Sequence, residues 1–359
     1  MKTLKVRLGP RSYNIIIASG ILKELARMLS TYSDITKVML ITDKNVARFY
    51  GPIVTESLRP YKLEAAVATI EPGEEQKSLS TAEVLYERLF QHGMDRKGLV
   101  VALGGGVVGD IAGYVAATYM RGIPYIQAPT TLVAQVDSSI GGKVAVNHPK
   151  GKNMIGCFYQ PRAVYIDPSV LKTLPREELT QGLVEVIKYG VIRDAGLFNY
   201  LEAHIEELLG LDPEVLEKVI ATCCRIKAWV VHKDEREETG LRSILNYGHT
   251  LGHAIEAVEG YKGYRHGEAV ATGMVLATRI ALLMGLAGEE VLERQKNLLR
   301  AAGAPTDYRP RDIQEIFAFL RRDKKALAGR LNLILPTKIG KVVLKEVPEE
   351  MVREVLTSG

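Results

Sequence analysis

Along the first half of the chain, apolar residues fall into two alternating rhythms. Short apolar runs, "YNIII", "KVMLIT", "AAVATI", "GLVVAL" and "PYIQAP", have the length and β-branched content of buried strands. Between them, "SGILKELARML", "LSTAEVLYERLFQHG" and a stretch over roughly 107–119 repeat apolar residues at helical spacing. Ser19 is placed to cap the first of these helices and Gly93 to stop the second. "EPGEEQKS" reads as a loop, and the glycine-rich stretch up to about residue 160 reads as a long functional loop. Strands alternating with helices over short connections predict a parallel sheet covered on both faces.

From Pro175 the rhythm becomes mostly helical, in "REELTQGLVEVIKYGVI", "GLFNYLEAHIEELLG", "PEVLEKVIATCCRIKAWVVHKDE", "ILNYGHTLGHAIEAVEG" and "GEAVATGMVLATRIALLMG". A strand pair, "LNLILP" and "KVVLKEV", follows near the end. Neither an internal repeat nor a low-complexity linker is visible. The pattern predicts an α/β chain: a Rossmann-like domain with a parallel sheet over 1–174, then a mainly helical domain over 175–359.

Composition narrows the function classes. The chain has 359 residues, 47% of them hydrophobic, enough for two cored domains. Its net charge of +5 is spread along the chain, which argues against nucleic-acid binding and leaves room for a localised anionic ligand such as phosphate. Three cysteines, Cys157, Cys223 and Cys224, lack the spacing of a disulfide framework or a paired zinc motif, and read as buried reduced thiols of a cytoplasmic protein. The N-terminal stretch lacks a signal-peptide core, and no apolar run approaches a membrane span.

Two motifs carry candidate chemistry. In "LVVALGGGVVGD", Gly104, Gly106 and Gly109 match GxGxxG between a strand and a helix. Such glycines let the backbone approach a pyrophosphate at a helix N-terminus, although they also serve simple tight turns. The expected acid about 20 residues later is missing, because that strand ends in "APTT"; an acid at a strand end occurs earlier, at Asp43. Dinucleotide binding therefore follows only in a non-standard order, with Thr130 and Thr131 as further hydroxyl donors.

The second motif is "NYGHTLGH". His249 and His253 are four apart and share a face of a helix running from about Leu245 to Ala257. Thr250 stands where a zincin has its glutamate, so this is not that motif. His266 follows at another helix start, and Glu185, Glu256 and Glu268 are candidate carboxylates. Glu185 lies in an otherwise apolar helix, where a charge needs a partner: either a metal or Lys188, one turn on. Asp137, Lys143, Lys152 and Asn153 in the glycine-rich loop, with Lys188, Lys227, Arg242 and "RRDKK", offer cations for a phosphorylated substrate; "RRDKK" also fits a solvated helix end.

Taken in order, "PGEEQKS", "ALGGGVVGDIAGY", "PTTLVAQVDSSIGGKVAVN", "GKNMIGCFYQP", "GLVEVIKYG", "DEREETGLRSILNYGHTLGHAIE", "HGEAVATGM" and "RDKK" resemble the 3-dehydroquinate synthases across nearly the whole chain. "DEREETGLR" looks one residue longer than the form seen in some members. The resemblance implies NAD and a divalent metal (zinc or cobalt) as cofactors, a small phosphorylated sugar acid as substrate, and a homodimer. It implies metal ligation by Glu185, His249 and His266, so that only the first histidine of "HTLGH" binds metal and His253 reaches the substrate. Substrate positions match Asp137, Lys143, Asn153, Lys188, Lys227, Arg242, Asn246 and one or both of Lys324 and Lys325. Arg121 matches a position contributed across a dimer contact. Cofactor positions match Asp43, Asn45, Gly73, Glu74, Glu75, Gln76, Lys77, Gly104, Gly105, Gly106, Val107, Val108, Gly109, Asp110, Thr130, Thr131, Lys143 and Lys152. The implied reaction converts 3-deoxy-D-arabino-heptulosonate 7-phosphate to 3-dehydroquinate and phosphate. Alternatives are a relative acting on sedoheptulose 7-phosphate, a metal-dependent polyol dehydrogenase and a non-catalytic NAD-binding protein.

Overall fold

The apolar runs of the first half become strands of one seven-stranded sheet. The computed structural model describes residues 1–359 apart from 33, 62, 261–263, 309, 323–325, 328–329 and 358–359. In chain order the first strands are β1 (Lys2–Val6), β2 (Tyr13–Ile17), β3 (Lys37–Asp43), β4 (Glu64–Ile70), β5 (Leu99–Gly104) and β6 (Tyr125–Pro129). β7 (Lys143–His148) and β8 (Gly151–Phe158) form a separate hairpin, and β9 (Ala163–Ile166) returns to the main sheet. The spatial order is β1-β2-β9-β6-β5-β3-β4, parallel throughout except where β1 runs against β2.

Helices α1 (Leu25–Leu29) and α2 (Lys44–Leu58) cover one face, and α3 (Leu79–Gln91) and α4 (Gly106–Thr118) the other. β3 shows why both faces are apolar: Val38 and Leu40 pack toward α1 and α2, while Met39 and Ile41 pack toward α3 and α4. Each such fully buried side chain contributes about 1.5–3 kcal/mol of transfer free energy.

Several local expectations are corrected. β1 and β9 are unforeseen strands, and the glycine-rich stretch holds the β7–β8 hairpin where a structureless loop was expected. "SGILKELARML" forms a tight turn over Ile21–Glu24 and only a short α1. Ser19 does not cap it; the Asp167 carboxylate accepts the Gly20 and Leu22 N–H groups at 2.9 and 3.3 Å, so a residue far along the chain sets this turn. Of the cysteines, Cys223 and Cys224 are buried but Cys157 is exposed.

The second half supplies α5 (Arg176–Ile192), α6 (Ala195–Leu209), α7 (Pro213–Lys233), α8 (His249–Val258), α9 (His266–Leu283), α10 (Glu289–Ala301) and α11 (Ile313–Arg322). A three-stranded sheet of β10 (Ala326–Leu327), β11 (Arg330–Lys338) and β12 (Lys341–Pro348) follows, then α12 (Glu349–Thr357). The chain divides into two compact units, but not at one boundary near 175. Met1–Pro175 and Leu216–Arg236 form the first, and Arg176–Val215 and Glu237–Gly359 the second. Most of α7 thus belongs with the first unit, where His232 Nδ1 donates to the Arg7 carbonyl at 2.8 Å and Cys224 donates to the Gln135 carbonyl; just past the helix, Glu235 pairs with Arg11. Among the described residues no helix is long and apolar enough to cross a membrane.

Within the second unit, glycines let α8 and α9 touch backbone to backbone. A Cβ on Gly273 would lie 2.1 Å from the Gly248 carbonyl oxygen, and one on Gly252 would lie 2.9 Å from that of Ala269. Neither neighbour is a movable side-chain end. Gly273→Ala is therefore expected to destabilise the protein by about 3 kcal/mol. The drop in urea midpoint checks this; an unchanged midpoint would mean the helices can part freely.

Candidate active site

In the first unit, the sheet's topology turns the sequence order into a spatial one. From β3 the chain goes to β4 on one side, then crosses to β5 on the other, so the order reverses between β3 and β5. Open parallel sheets bind ligands beyond the strand ends at such a reversal. Thr42 pairs with Leu103, so Asp43 and Gly104 leave the sheet side by side. The acid that looked out of order along the chain is thus adjacent to the glycine loop. Asp43 Oδ1 also caps α2, accepting from the N–H groups of Asn45 and Val46 at 2.8 and 3.0 Å.

Each glycine of the loop has its own reason. A Cβ on Gly104 would lie 2.6 Å from the Val108 side chain, and one on Gly109 would lie 2.7 Å from Gln127 Oε1. These two let α4 pack on the sheet. Gly105 precedes α4 without a side-chain cap, so the first N–H groups of the helix, from Gly106 to Val108, point beyond its end. A Cβ on Gly105 would lie 3.0 Å from Thr131, and the Thr130 N–H donates to the Gly104 carbonyl at 2.9 Å. An uncapped helix N-terminus flanked by threonine and by a strand-end acid suits a dinucleotide's pyrophosphate and ribose.

Beside the loop, Lys77 is buried and pairs with Asp110 on α4 at 2.5 Å. Burial raises the Asp110 carboxyl above its ordinary value, and Lys77 only partly offsets this. Lys227 on α7 pairs with Asp137. Lys143 opens β7, exposed, while Lys152 and Asn153 lie on β8, also exposed. Met120, Arg121 and Gly122 take left-handed backbone in succession, and Arg121 is exposed.

In the second unit, the half of α5 from Gly182 to Ile192 is buried on all sides, Glu185 and Lys188 included. Glu185 is 2% exposed and uses its two oxygens differently: Oε2 pairs with Lys188, while Oε1 faces His249 Nε2 at 3.3 Å and His266 Nε2 at 4.0 Å. The helix pair and the histidine set are therefore both present. Helix α8 does not start near Leu245. Residues Leu241–Asn246 form a separate turn, Gly248 takes φ 78°, and α8 begins at His249. His249, His253 and His266 still meet, with ring centroids 5.5, 5.5 and 5.6 Å apart. Arg242 is buried and faces Glu237 at 3.5 Å.

Protonation logic shows what this cluster accepts. The Tyr247 carbonyl can only accept, so His249 Nδ1, 3.1 Å away, carries the proton. A neutral His249 then aims its Nε2 lone pair at a carboxylate oxygen. Burial, and then Lys188, hold this imidazole's pKa below its ordinary value despite Glu185. Burial alone would raise the Glu185 carboxyl, but the opposing pull, led by the Lys188 ammonium, outweighs it and holds it well below the usual range. A lone pair facing an anion leaves room for a cation between them. Among the described residues, Glu185, His249 and His266 offer ligand atoms within 4.8 Å of one another, a one-carboxylate, two-histidine set that fits a divalent metal with open positions.

Two family models match the chain: 3-dehydroquinate synthase N-terminal over residues 67–181, and 3-dehydroquinate synthase C-terminal over 182–326. The 3-dehydroquinate synthase of Desulforamulus reducens is 53% identical, over 99% of this chain and 100% of its own. The chain belongs to the 3-dehydroquinate synthase family. Among solved structures, 2-deoxy-scyllo-inosose synthase complexed with carbaglucose-6-phosphate, NAD+ and Co2+ superposes with TM-score 0.90 at 31% identity, covering 100% of both chains. The 2-epi-5-epi-valiolone synthase of Streptomyces hygroscopicus subsp. jinggangensis, with NAD+ and Zn2+ bound, gives 0.87 at 26% identity over 99% of this chain and 98% of its own. The α/β class expected from the apolar rhythm is thus the fold of this family and its cyclase neighbours.

Against the residues expected of a 3-dehydroquinate synthase, the structure brings together Glu185, His249, His253 and His266 in one unit. It brings Asp43 to the glycine loop and Lys227 to Asp137 in the other. Lys324 and Lys325 lie outside the described residues. Glu268, a candidate carboxylate, instead closes the start of α9, its Oε2 accepting the Arg265 N–H at 2.9 Å. Glu256, the third candidate carboxylate, is buried and faces His266 Nδ1 at 3.3 Å, where a carboxylate orients an imidazole. A lone acid in the apolar "HAIEAV" was the available signal.

The buried Lys77–Asp110 pair yields a stability test. Lys77→Met leaves a poorly solvated carboxylate without its cation and is expected to cost about 3 kcal/mol. Adding Asp110→Asn should recover most of that loss. Urea unfolding of the two variants is the check, and equal stability of both would remove the pair from the account.

Proposed function

We propose that this protein is a 3-dehydroquinate synthase, converting 3-deoxy-D-arabino-heptulosonate 7-phosphate to 3-dehydroquinate and phosphate. The observation that carries the reading is the convergence of Glu185, His249 and His266 beside a buried lysine, in a chain whose relatives carry that name over their full length. When bound, NAD supplies a reversible hydride acceptor and the divalent metal a Lewis acid for hydroxyl oxidation.

The chain's own residues supply position and charge. On the first unit, the α4 N-terminus, with Gly104 to Asp110, Thr130 and Thr131, holds the pyrophosphate, and Asp43 the adjacent ribose. The loop from Gly73 to Lys77, with Asn45 and Lys152, completes the nucleotide set. Lys143 and Asn153 offer an ammonium and an amide to the substrate phosphate. Asp137, held against Lys227, accepts from a substrate hydroxyl. On the second unit, Glu185, His249 and His266 hold the metal, and Lys188 balances the Glu185 charge. Arg242 and Asn246 face the carboxylate and hydroxyls of the sugar acid. His253, one helical turn from His249 and exposed, exchanges a proton with substrate and is not a ligand. Oxidation of the ring hydroxyl, which bound NAD would supply and reverse, would acidify the neighbouring C–H; Lys143 and Asn153 would hold the phosphate as it leaves by β-elimination, and ring opening with intramolecular aldol closure would complete the product.

The working form is a homodimer in the cytoplasm. Left-handed backbone at Met120 and Arg121 projects two exposed side chains, which supports a role for Arg121 at a second copy.

Two measurements test the reading. The protein is given heptulosonate phosphate, NAD and zinc, and phosphate and NADH are followed together. Stoichiometric phosphate release without net NADH is expected. Net NADH would indicate a polyol dehydrogenase, and turnover only of sedoheptulose 7-phosphate would indicate the sister cyclase activity.

The histidines are separated by metal content. Glu185→Gln, His249→Ala and His266→Ala should each lose bound metal and activity. His253→Ala should keep its metal and lose turnover by about 10² or more. Equal loss of metal in His253→Ala would make it a ligand.

A further inference from the structure

The β7–β8 hairpin contains one irregularity, and it lies at residues that matter. The ladder pairs Val146 with Ile155 and next pairs His148 with Gly151. Asn147 alone on β7 therefore stands opposite Lys152, Asn153 and Met154 on β8. Extra residues on one strand make a bulge, which bends the strand and re-aims its side chains. Asn153 sits in this bulge with φ 57°, a left-handed conformation that asparagine tolerates better than most residues.

Asn147 is freed from the ladder and spends its groups elsewhere. Its backbone N–H donates to the Lys77 carbonyl at 2.7 Å. Its side-chain Nδ2 donates to Glu74 Oε1 at 2.7 Å, and its Oδ1 accepts the Asn153 N–H at 2.8 Å. A single amide thus joins the loop from Gly73 to Lys77 to the bulge that displays Lys152 and Asn153. Lys77 carries the connection on to Asp110 in the first turns of α4.

We propose that Asn147 is a positioning residue that couples the dinucleotide loop to the phosphate-binding bulge, so that each ligand tightens the other. This rests on the reading above, in which the loop holds NAD and Asn153 holds phosphate. The physical basis is a shared ordering cost. Whichever ligand first fixes its own segment also fixes Asn147, and the second ligand meets a segment already in place. The coupling is reciprocal, as any linkage between two binding equilibria must be. In this reading Asn147 acts through its bonds to Glu74, Lys77 and Asn153 and not by a ligand contact of its own.

The test is calorimetric titration of NAD into the metal-loaded protein, with and without saturating inorganic phosphate. Phosphate should raise the affinity of the unaltered protein for NAD by about five-fold or more. Asn147→Ala should bind both ligands with that gain reduced to nearly none. Asn147→Asp sets a carboxylate against Glu74 and should also lose the gain. Combining it with Glu74→Gln swaps donor and acceptor across the same contact and should restore the gain seen in Glu74→Gln alone, which keeps an acceptor for Asn147 and fixes what the Glu74 change itself does to NAD binding. A purely structural role would not give rescue by exchange. A gain that survives in Asn147→Ala, or a combined variant that stays uncoupled, overturns the coupling alone. Absence of NAD binding in the unaltered protein overturns the cofactor reading, and the coupling with it.

Discussion

The second unit is organised around one unfavourable act, the burial of the Glu185 carboxylate in a helix that is apolar around it. Taking a carboxylate out of water costs several kcal/mol even after relaxation. Lys188 meets one oxygen and offsets part of that cost, while the other oxygen faces two imidazoles across a space that suits a cation. The imidazoles come from the first residues of α8 and α9, so those helix starts must be brought to α5. The glycines at 248, 252 and 273 let the α8 and α9 backbones approach closely enough. Polar site and packing are therefore one constraint: a side chain at the helix crossing would shift His249 and His266 against Glu185 as well as loosen the core.

In the first unit the corresponding constraint is topological. A parallel sheet must place the carboxyl ends of its strands together, and the reversal between β3 and β5 leaves an opening there. Asp43, Gly104 and Thr130 come to that opening from three separate strand ends. Nothing local in their sequences sets the distance between them; strand register does.

Much of this was legible in the residues. Long periodic segments such as α3 and α9 announced themselves, because an apolar face repeated over several turns is what a packed helix requires and what a strand or loop does not produce. The apolar run of β5 was equally plain. The misses have physical causes. Asp167 sets the turn at Ile21 from far along the chain, and no window around "SGILKELARML" contains it. β1 is a short edge strand rich in lysine, so its alternation is weak. The hairpin at 143–158 was hidden by its glycines, which signal loops as readily as bends. Gly248 was visible, but that its left-handed φ starts the helix afresh at His249 was not. For Glu185, His249 and His266, residue types and order carried the reading, whereas the contacts of Glu256 and Asn147 run across elements, which spacing cannot disclose.

The path of the backbone between the two units has a consequence for how such a protein can be divided. The chain passes from one unit to the other at three points, after Pro175, Val215 and Arg236. Neither unit is a continuous segment. A gene cut at the visible change of rhythm near Pro175 would carry Leu216–Arg236 away from the sheet it packs on. The buried thiols of Cys223 and Cys224 would then face solvent, and Lys227 would lose Asp137. Modular exchange of the first unit among relatives would need two junctions around α7 in addition to the one after Pro175. Inheritance of the two halves as one piece is thus built into the thread of the backbone.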